Sequence, residues 1–408
     1  MCVEEIARFA KIKGLNLVGT GDFTHPRWLA ELKESLVPAS DTCLYRVAKT
    51  PDLPVLFMVT TEVCTIFTFE NEIKKVHHVI LTPSFETAAQ INDRLSKYGS
   101  LASDGRPTLN MSAPHLVEEV MEASSENMVF PAHAWTPWFS IFGAFSGFDS
   151  VEDCYQDMTK HIYALETGLS SDPPMNWRLS KLDRFALVSN SDSHSFWPWR
   201  IGREANVFEL ERPSYFEAVD AIRRKDTERF KFTIETDPAY GKYHWTGHRN
   251  CHVSLPAKEA IKLGNICPVC RRKLTKGVEQ RVEELADRPL DFKPQGVVGF
   301  VRLLPLSEII STALCVDSPS TQKVWSIYNS LIERFGDEYA VLIDASKETL
   351  VSVADEQIAE AIVRVRGGNV RIAPGYDGVY GQIAIFEDQF GEKVSPQRVQ
   401  QLNLSDFM

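Results

Sequence analysis

Ile6, Phe9, Ala10 and Ile12 recur at helical spacing and predict a helix over residues 4–13, with Gly14 as its C-cap. Residues 15–18 then read as a short strand, which enters the turn-rich loop Gly19-Thr20-Gly21-Asp22-Phe23-Thr24-His25-Pro26 before a helix begins near Trp28. The same order recurs along the first half of the chain. Apolar runs at 53–59, 128–130, 162–165 and 185–188 lead to Glu62, His133, Glu166 and the pair Asp192 and His194, while the run 76–81 carries His77 and His78. Helical patterns at 86–98 and 116–123 lie between them. Short strands alternating with helices, and acids or imidazoles at strand ends, predict α/β architecture. The expected form is a closed or nearly closed parallel β/α barrel with a metal site at one mouth.

In Asn190-Ser191-Asp192-Ser193-His194 a carboxylate and an imidazole stand two positions apart after an apolar strand, so both project to one side of the backbone. A lone histidine such as His115 or His161 is more often a surface group than a ligand. The metal reading rests on the ensemble of strand ends. Adjacent strand residues face opposite ways, so only one of His77 and His78 is expected to enter the site, and His78 is the one favoured.

After a helix predicted over 215–225 the texture changes. Residues 237–285 contain His248-x-x-Cys251 and Cys267-Pro-Val-Cys270, two knuckles whose four borderline-soft ligands suit a tetrahedral structural zinc ion. His244 and His252 compete with His248 for the fourth place. Arg271, Arg272 and Lys273 follow the second knuckle, where a nucleic-acid backbone could be touched, although a solvated basic face explains them equally well. Helices are predicted over 306–313, 321–335 and 355–365, then a Gly-rich hairpin stretch at 374–381 and a strand over 382–386. The hairpin lacks the Lys-Ser/Thr ending of a phosphate-binding loop. Its Tyr376 and Tyr380 read as core aromatics or as base-stacking groups. The polar tail ends in an apolar-spaced turn, Gln401 to Phe407, suited to a partner's pocket.

The 408 residues carry 44 basic and 55 acidic side chains, a net charge of −11, which excludes a general polycation. Residues 223–281 invert that balance, with 14 basic against 6 acidic groups, and so form a candidate phosphate-facing segment. Eight cysteines, mostly scattered, do not resemble a disulfide framework. With no long apolar run and no signal-like start, a soluble cytoplasmic protein is expected, with no membrane partner.

The loop 19–26, Pro131-Ala132-His133-Ala134-Trp135-Thr136-Pro137-Trp138, Glu166-Thr167-Gly168-Leu169-Ser170-Ser171-Asp172, the Asn190–His194 stretch and the knuckles together resemble the endonuclease Q family over nearly the whole chain. That resemblance implies a polymerase-and-histidinol-phosphatase (PHP) type barrel over 1–236, a zinc-binding domain over 237–285, a mostly helical DNA-binding domain over 286–387 and a flexible tail over 388–408. It implies a DNA-repair endonuclease that cuts 5′ to uracil, hypoxanthine, xanthine and abasic sites in damaged DNA, double- or single-stranded. By position it assigns Asp22, His25, Glu62, His78, His133, Asp192 and His194 to a cluster of divalent ions (zinc, manganese or magnesium), with Asp192, His194 and Glu62 catalytic. It also places Glu166, Ser170, Ser171 and Arg200, with Arg271, Arg272 and Lys273, at the substrate. Gln401, Leu404 and Phe407 match a sliding-clamp-binding box, with Met408 where a second aromatic is usual, which points to an archaeal source.

One departure matters. The family's domains open with a strand carrying His-x-His, and this chain has no His-x-His; its first histidine is His25. The expectation is a barrel lacking its first strand, through a start site placed too late rather than through a real loss. A chain in this form is expected to bind DNA yet cut it poorly. Two other function classes compete: a lesion-binding protein with impaired catalysis, and a small-molecule phosphoesterase on the same barrel.

Overall fold

The computed structural model describes residues 2–103 and 105–389, so the clamp-like residues Gln401, Leu404 and Phe407 lie outside the described residues. The first helix is Val3–Lys13, and Gly14 closes it at φ 97° by donating to the carbonyls of Ala10 and Lys11. A left-handed backbone there is what a helix C-cap requires and what glycine adopts at least cost. The strand Leu17–Gly19 follows and pairs parallel with the start of Leu56–Phe69.

The centre of the sheet departs from a parallel barrel. Leu56–Phe69 and Glu72–Thr82 form one long antiparallel hairpin, and Met128–Pro131 adds antiparallel to the second strand. Glu62 therefore sits inside a 14-residue strand rather than at the end of a short one. The run Val63 to Phe69, rich in β-branched and aromatic residues, carries the strand onward. The two-residue turn Glu70–Asn71, with φ of 49° and 67°, has the twist that tight hairpins need. Parallel pairing persists between Ala164–Glu166 and Ala186–Val188, joined to Met128–Pro131 through a parallel bridge from Val129 to Ile162.

Side chains from these strands meet in one apolar cluster that includes Met58, Leu81, Met128, Phe130, Ala164, Ala186 and Val188, with Leu17 packed at its edge. The helix Tyr215–Arg224 contributes Tyr215, Ala218, Val219 and Ile222 to the same cluster. A second core, reaching from the helix Val3–Lys13 to Phe148, lies under the outer helices Phe85–Leu95 and Ala113–Ala123.

The strands Ala205–Phe208, Phe230–Glu235 and Gly299–Arg302 form a separate sheet. Helices Leu306–Ala313, Gln322–Phe335 and Glu356–Arg366 pack on it through Ile309, Ile310, Tyr328, Leu331, Ile358 and Ile362. Gly299–Arg302 thus ties the start of the helical region into the earlier sheet. The knuckle region is the hairpin Thr246–His248 and Val253–Leu255 with helices Ala257–Lys262 and Val278–Leu285. The Gly-rich stretch leans on it: Trp245 N–H donates to Gly375 O at 2.9 Å and Arg249 N–H to Asp377 Oδ2 at 2.7 Å. Tyr376 is pressed against Gly247, where a Cβ would stand 2.5 Å from its ring, so it packs within the protein. Among the described residues no helix is long and apolar enough to cross a membrane.

Candidate metal and phosphodiester site

The register of the long hairpin decides which histidine reaches the site. Glu62 stands opposite Val79 and Cys64 opposite His77, so Glu62 and His77 share a face. His78 stands opposite Val63 and points the other way. There its Nε2 lies 2.9 Å from Thr65 Oγ1 and its Nδ1 2.7 Å from Tyr155 OH, fully buried. Burial pushes its imidazole down to about 3, which keeps it neutral. The expectation that His78 enters the site is thus corrected to His77. Both faces of Glu72–Thr82 carry apolar residues, so no alternation in the sequence marks the inner one.

His133 follows Met128–Pro131 with a backbone φ of 28°. Its N–H donates to Glu166 Oε2 at 2.7 Å, and Asn190 Nδ2 donates to Glu166 Oε1 at 2.7 Å. The buried Glu166 carboxylate so links the end of one strand to the loop that carries Asp192. Gly168 adjoins: a Cβ there would meet His133 Cβ at 2.9 Å. Asp22 and Asp192 also adopt positive φ, 49° and 41°. Such backbone is sparsely populated for non-glycine residues and concentrates at functional sites.

Three donors converge. His77 Nδ1 and Glu62 Oε1 are 3.0 Å apart, His133 Nε2 and Glu62 Oε1 3.3 Å, and the two imidazole nitrogens 3.0 Å. Ligands bound at ~2.1 Å to one octahedral divalent ion stand about 3.0 Å apart, so these separations fit such an ion. Thr136 orients the set. Its hydroxyl donates to Trp138 O at 3.0 Å and lies 2.9 Å from His133 Nδ1, so Nδ1 is engaged by Thr136 and Nε2 is the nitrogen turned toward Glu62.

Electrostatics agree with a cation-seeking centre. Burial opposes the charge on Glu62, but hydrogen bonds and charge from His133 and His77 outweigh it and hold the carboxyl well below its usual range. Burial likewise opposes charge on His133, and Glu62 overcomes it, leaving the imidazole above its ordinary value. His77 is held below by burial. Glu166 is pushed up to about 7 by burial.

Arg106 had no signal in the sequence, yet its Nη1 donates to Glu62 Oε1 at 3.0 Å and lies 3.9 Å from Asp192 Oδ2. The backbone beside it, at Gly105, abuts Asp22, where a Cβ would stand 2.5 Å from the carboxylate. Asp192 Oδ1 is 3.3 Å from His194 Nε2, which raises the imidazole's pKa, with the Asp22 charge contributing in the same direction. Arg106 therefore borders Glu62, with Asp192 beside Arg106, His194 paired to Asp192 and Asp22 next to Gly105. His25 does not join that triangle: it occupies the N-cap position of Pro26–Ser35 and its N–H donates to Asp22 O.

Of the expected substrate residues, Ser171 is buried and bonded to Thr167 O and Asn176, so it serves the fold. Ser170 ends a short 3-10 turn, Gly168–Ser170, beside it. Arg200 is exposed, as are Arg271, Arg272 and Lys273. In the knuckle region the ligand atoms of His248, Cys251, Cys267 and Cys270 lie within 4.8 Å of one another. That group contains His248 rather than His244 or His252, with Cys270 Sγ 3.4 Å from His248 Nδ1. Sulfur and imidazole ligands so spaced suit tetrahedral zinc.

Residues 305–369 match the family model for the MJ0043 C-terminal domain. The chain is 34% identical over 254 residues to the uncharacterized protein MJ0043 of Methanocaldococcus jannaschii, covering 62% of this chain but only 31% of that protein. It is 26% identical over 378 residues to the uncharacterized protein YqxK of Bacillus subtilis, covering 91% and 89% of the two chains. The crystal structure of the lesion-specific endonuclease PfuEndoQ from Pyrococcus furiosus superposes with a TM-score of 0.83 at 35% identity, over 95% of this chain and 91% of that one. An endonuclease Q structure in complex with a 27-mer duplex bearing an abasic lesion at its active site matches with the same TM-score and identity, over 95% and 92%.

Proposed function

Because this chain belongs to the endonuclease Q family, we propose that it is a DNA-repair endonuclease whose centre is the Glu62–His77–His133 triangle. Its substrate is the phosphodiester 5′ to a deaminated base (uracil, hypoxanthine or xanthine) or an abasic site. The observation that carries this reading is the three-donor geometry, in a chain that aligns nearly end to end with a relative bound to lesion-bearing duplex.

Glu62, His77 and His133 hold a divalent ion, with Asp22, Asp192 and His194 beside them. Such an ion supplies an activated water and charge neutralisation at the phosphate. Thr136 engages His133 Nδ1, and Glu166 with Asn190 fixes the His133 backbone. Arg106 presents its guanidinium to a nonbridging phosphate oxygen, a fork suited to that contact. A lesion base leaves the stack at less cost than a paired one, which favours damaged DNA. The knuckle region holds structural zinc through His248, Cys251, Cys267 and Cys270, and Arg271, Arg272 and Lys273 track the backbone. The tail with Gln401, Leu404 and Phe407 engages a sliding clamp.

The test compares three substrates with manganese or magnesium present: a uracil-containing duplex, the undamaged duplex and p-nitrophenyl phosphate. Nicking confined to the uracil strand supports the reading. Hydrolysis of the phosphomonoester with both duplexes intact refutes it in favour of a small-molecule phosphoesterase. Binding of the uracil duplex without cleavage by any protein–metal combination refutes it in favour of a lesion-binding protein.

A further inference from the structure

The segment from Ala134 to Phe148 divides its aromatics. Trp135, Phe142 and Phe148 are buried, whereas Trp138 and Phe145 are 39% and 50% exposed. The two exposed rings stack, with centroids 4.9 Å apart and planes 12° from parallel, and Tyr243 meets Trp138 edge-on at 5.5 Å. Large apolar rings stacked together at a surface are costly to leave in water, and such faces mark binding sites.

This pair is held in place before any ligand arrives. Phe142 N–H donates to Ala134 O at 2.9 Å, Phe145 N–H to Pro137 O at 3.0 Å and Phe139 N–H to Ser146 Oγ at 2.9 Å. Arg281 donates to the carbonyls of Phe142 and Phe148 at 3.1 and 3.0 Å. The segment is also continuous with the metal triangle. Thr136 joins His133 to Trp138 O, and Phe139 stacks on His77 at 5.1 Å. One cation adjoins it: Lys75 Nζ lies 5.3 Å over the Phe139 ring, while Lys74 donates to Gly147 O and is ion-paired with Glu72 at 2.7 Å.

From these placements we propose that Trp138 and Phe145 form a stacking subsite for a nucleobase of the DNA strand entering the Glu62–His77–His133 centre. An exposed aromatic face with the Lys75 cation nearby suits a nucleobase on a phosphodiester strand, since every base offers a π-face and every link a negative charge. The rings cover a base next to the lesion, where extrusion leaves a stacking face open. This inference rests on the proposed endonuclease reading.

The experiment uses the full chain and an abasic duplex with 2-aminopurine beside the lesion, read by fluorescence and by anisotropy. Wild type is expected to quench the probe. Trp138→Ala, and Phe145→Ser at the more exposed tip, are expected to lose that quench and to bind roughly ten-fold more weakly, while W138F keeps both. Melting temperature and metal content identify any variant that misfolds, and Phe145→Ser then carries the test alone. Variants that bind and quench as wild type does, while the wild type still nicks lesion DNA, overturn the stacking subsite and leave the endonuclease reading standing. A selective loss of binding to another protein, with DNA binding intact, overturns it in the same way. A wild type that neither binds nor nicks lesion DNA overturns both.

Discussion

Glu62 Oε1 is approached at once by His77 Nδ1, His133 Nε2 and Arg106 Nη1, all within 3.3 Å. Two of these are candidate metal ligands and the third is a permanent cation that an incoming phosphate can recruit. Arg106→Ala is therefore expected to weaken duplex binding and to make the slope of log K against log salt shallower by about 0.9, one phosphate contact's worth. An unchanged slope would show that Arg106 serves Glu62 alone. Glu235 offers a second single-residue test. It is completely buried and bonded to Thr233, Ser189 and Thr167, and burial pushes its carboxyl well above the ordinary range. The folded state keeps a proton that the unfolded chain gives up above the usual 4.5, so wild-type stability declines as pH rises from there. Glu235→Gln mimics the protonated acid. Its unfolding free energy relative to wild type should be flat below pH 4.5 and rise above it; a difference independent of pH would contradict the assignment. At this scale the sequence disclosed which residue types gather at the centre and not their directions. Glu62 and His133 were recognisable from their places after apolar runs, but His77 against His78 depended on a strand register. Arg106, in a loop remote in sequence, depended on tertiary structure alone.

Among the elements, the helix Val3–Lys13 is fastened to the helical region by an ion pair with no exposure to water. Lys13 Nζ lies 2.7 Å from Glu338 Oε1, with side chains 1% and 0% exposed, and Glu338 also accepts from Tyr328 OH and Leu306 N–H. Removing one partner leaves a buried charge, so Lys13→Ala should cost ~3–5 kcal/mol in urea unfolding, and replacing both partners with apolar residues should recover most of it. A loss below ~1 kcal/mol would mean that water reaches Glu338. Helices were the legible elements: 306–313 was predicted as found, and Gln322–Phe335 begins where Thr321 caps it. Their 3.6-residue periodicity and caps are local signals. The hairpin Leu56–Phe69 with Glu72–Thr82 was not legible, because Glu70–Asn71 is not a usual tight-turn pair and a polar Glu62 inside a strand reads as its end. The sheet's antiparallel centre went unseen with it.

For the molecule as a whole, the knuckle region, the Gly-rich stretch and the segment around Trp138 are physically joined. Trp245 and Arg249 bond to 375–377, and Tyr243 meets Trp138. Metal loss at the knuckles should therefore loosen more than the knuckles. Cys267→Ser is expected to release one zinc per chain and raise amide exchange at 243–249 and 374–381, leaving the helices from 306 onward protected; uniform protection throughout would contradict a structural zinc. The knuckles were legible because Cys-Pro-x-Cys is a compact motif, whereas the contacts that place them against the Gly-rich hairpin span more than a hundred residues. Chemistry at Glu62, His77 and His133 is tested by cleavage of an end-labelled duplex carrying one abasic site, with manganese present, by wild type and His133→Ala at equal metal and protein concentrations. A single wild-type product is expected, cut at the phosphodiester 5′ to the lesion, with a loss of at least about a hundred-fold in the variant. Equal cleavage by both proteins, or an uncut lesion strand under conditions where the wild type binds it, would rule out a metal-dependent nuclease centre at Glu62, His77 and His133.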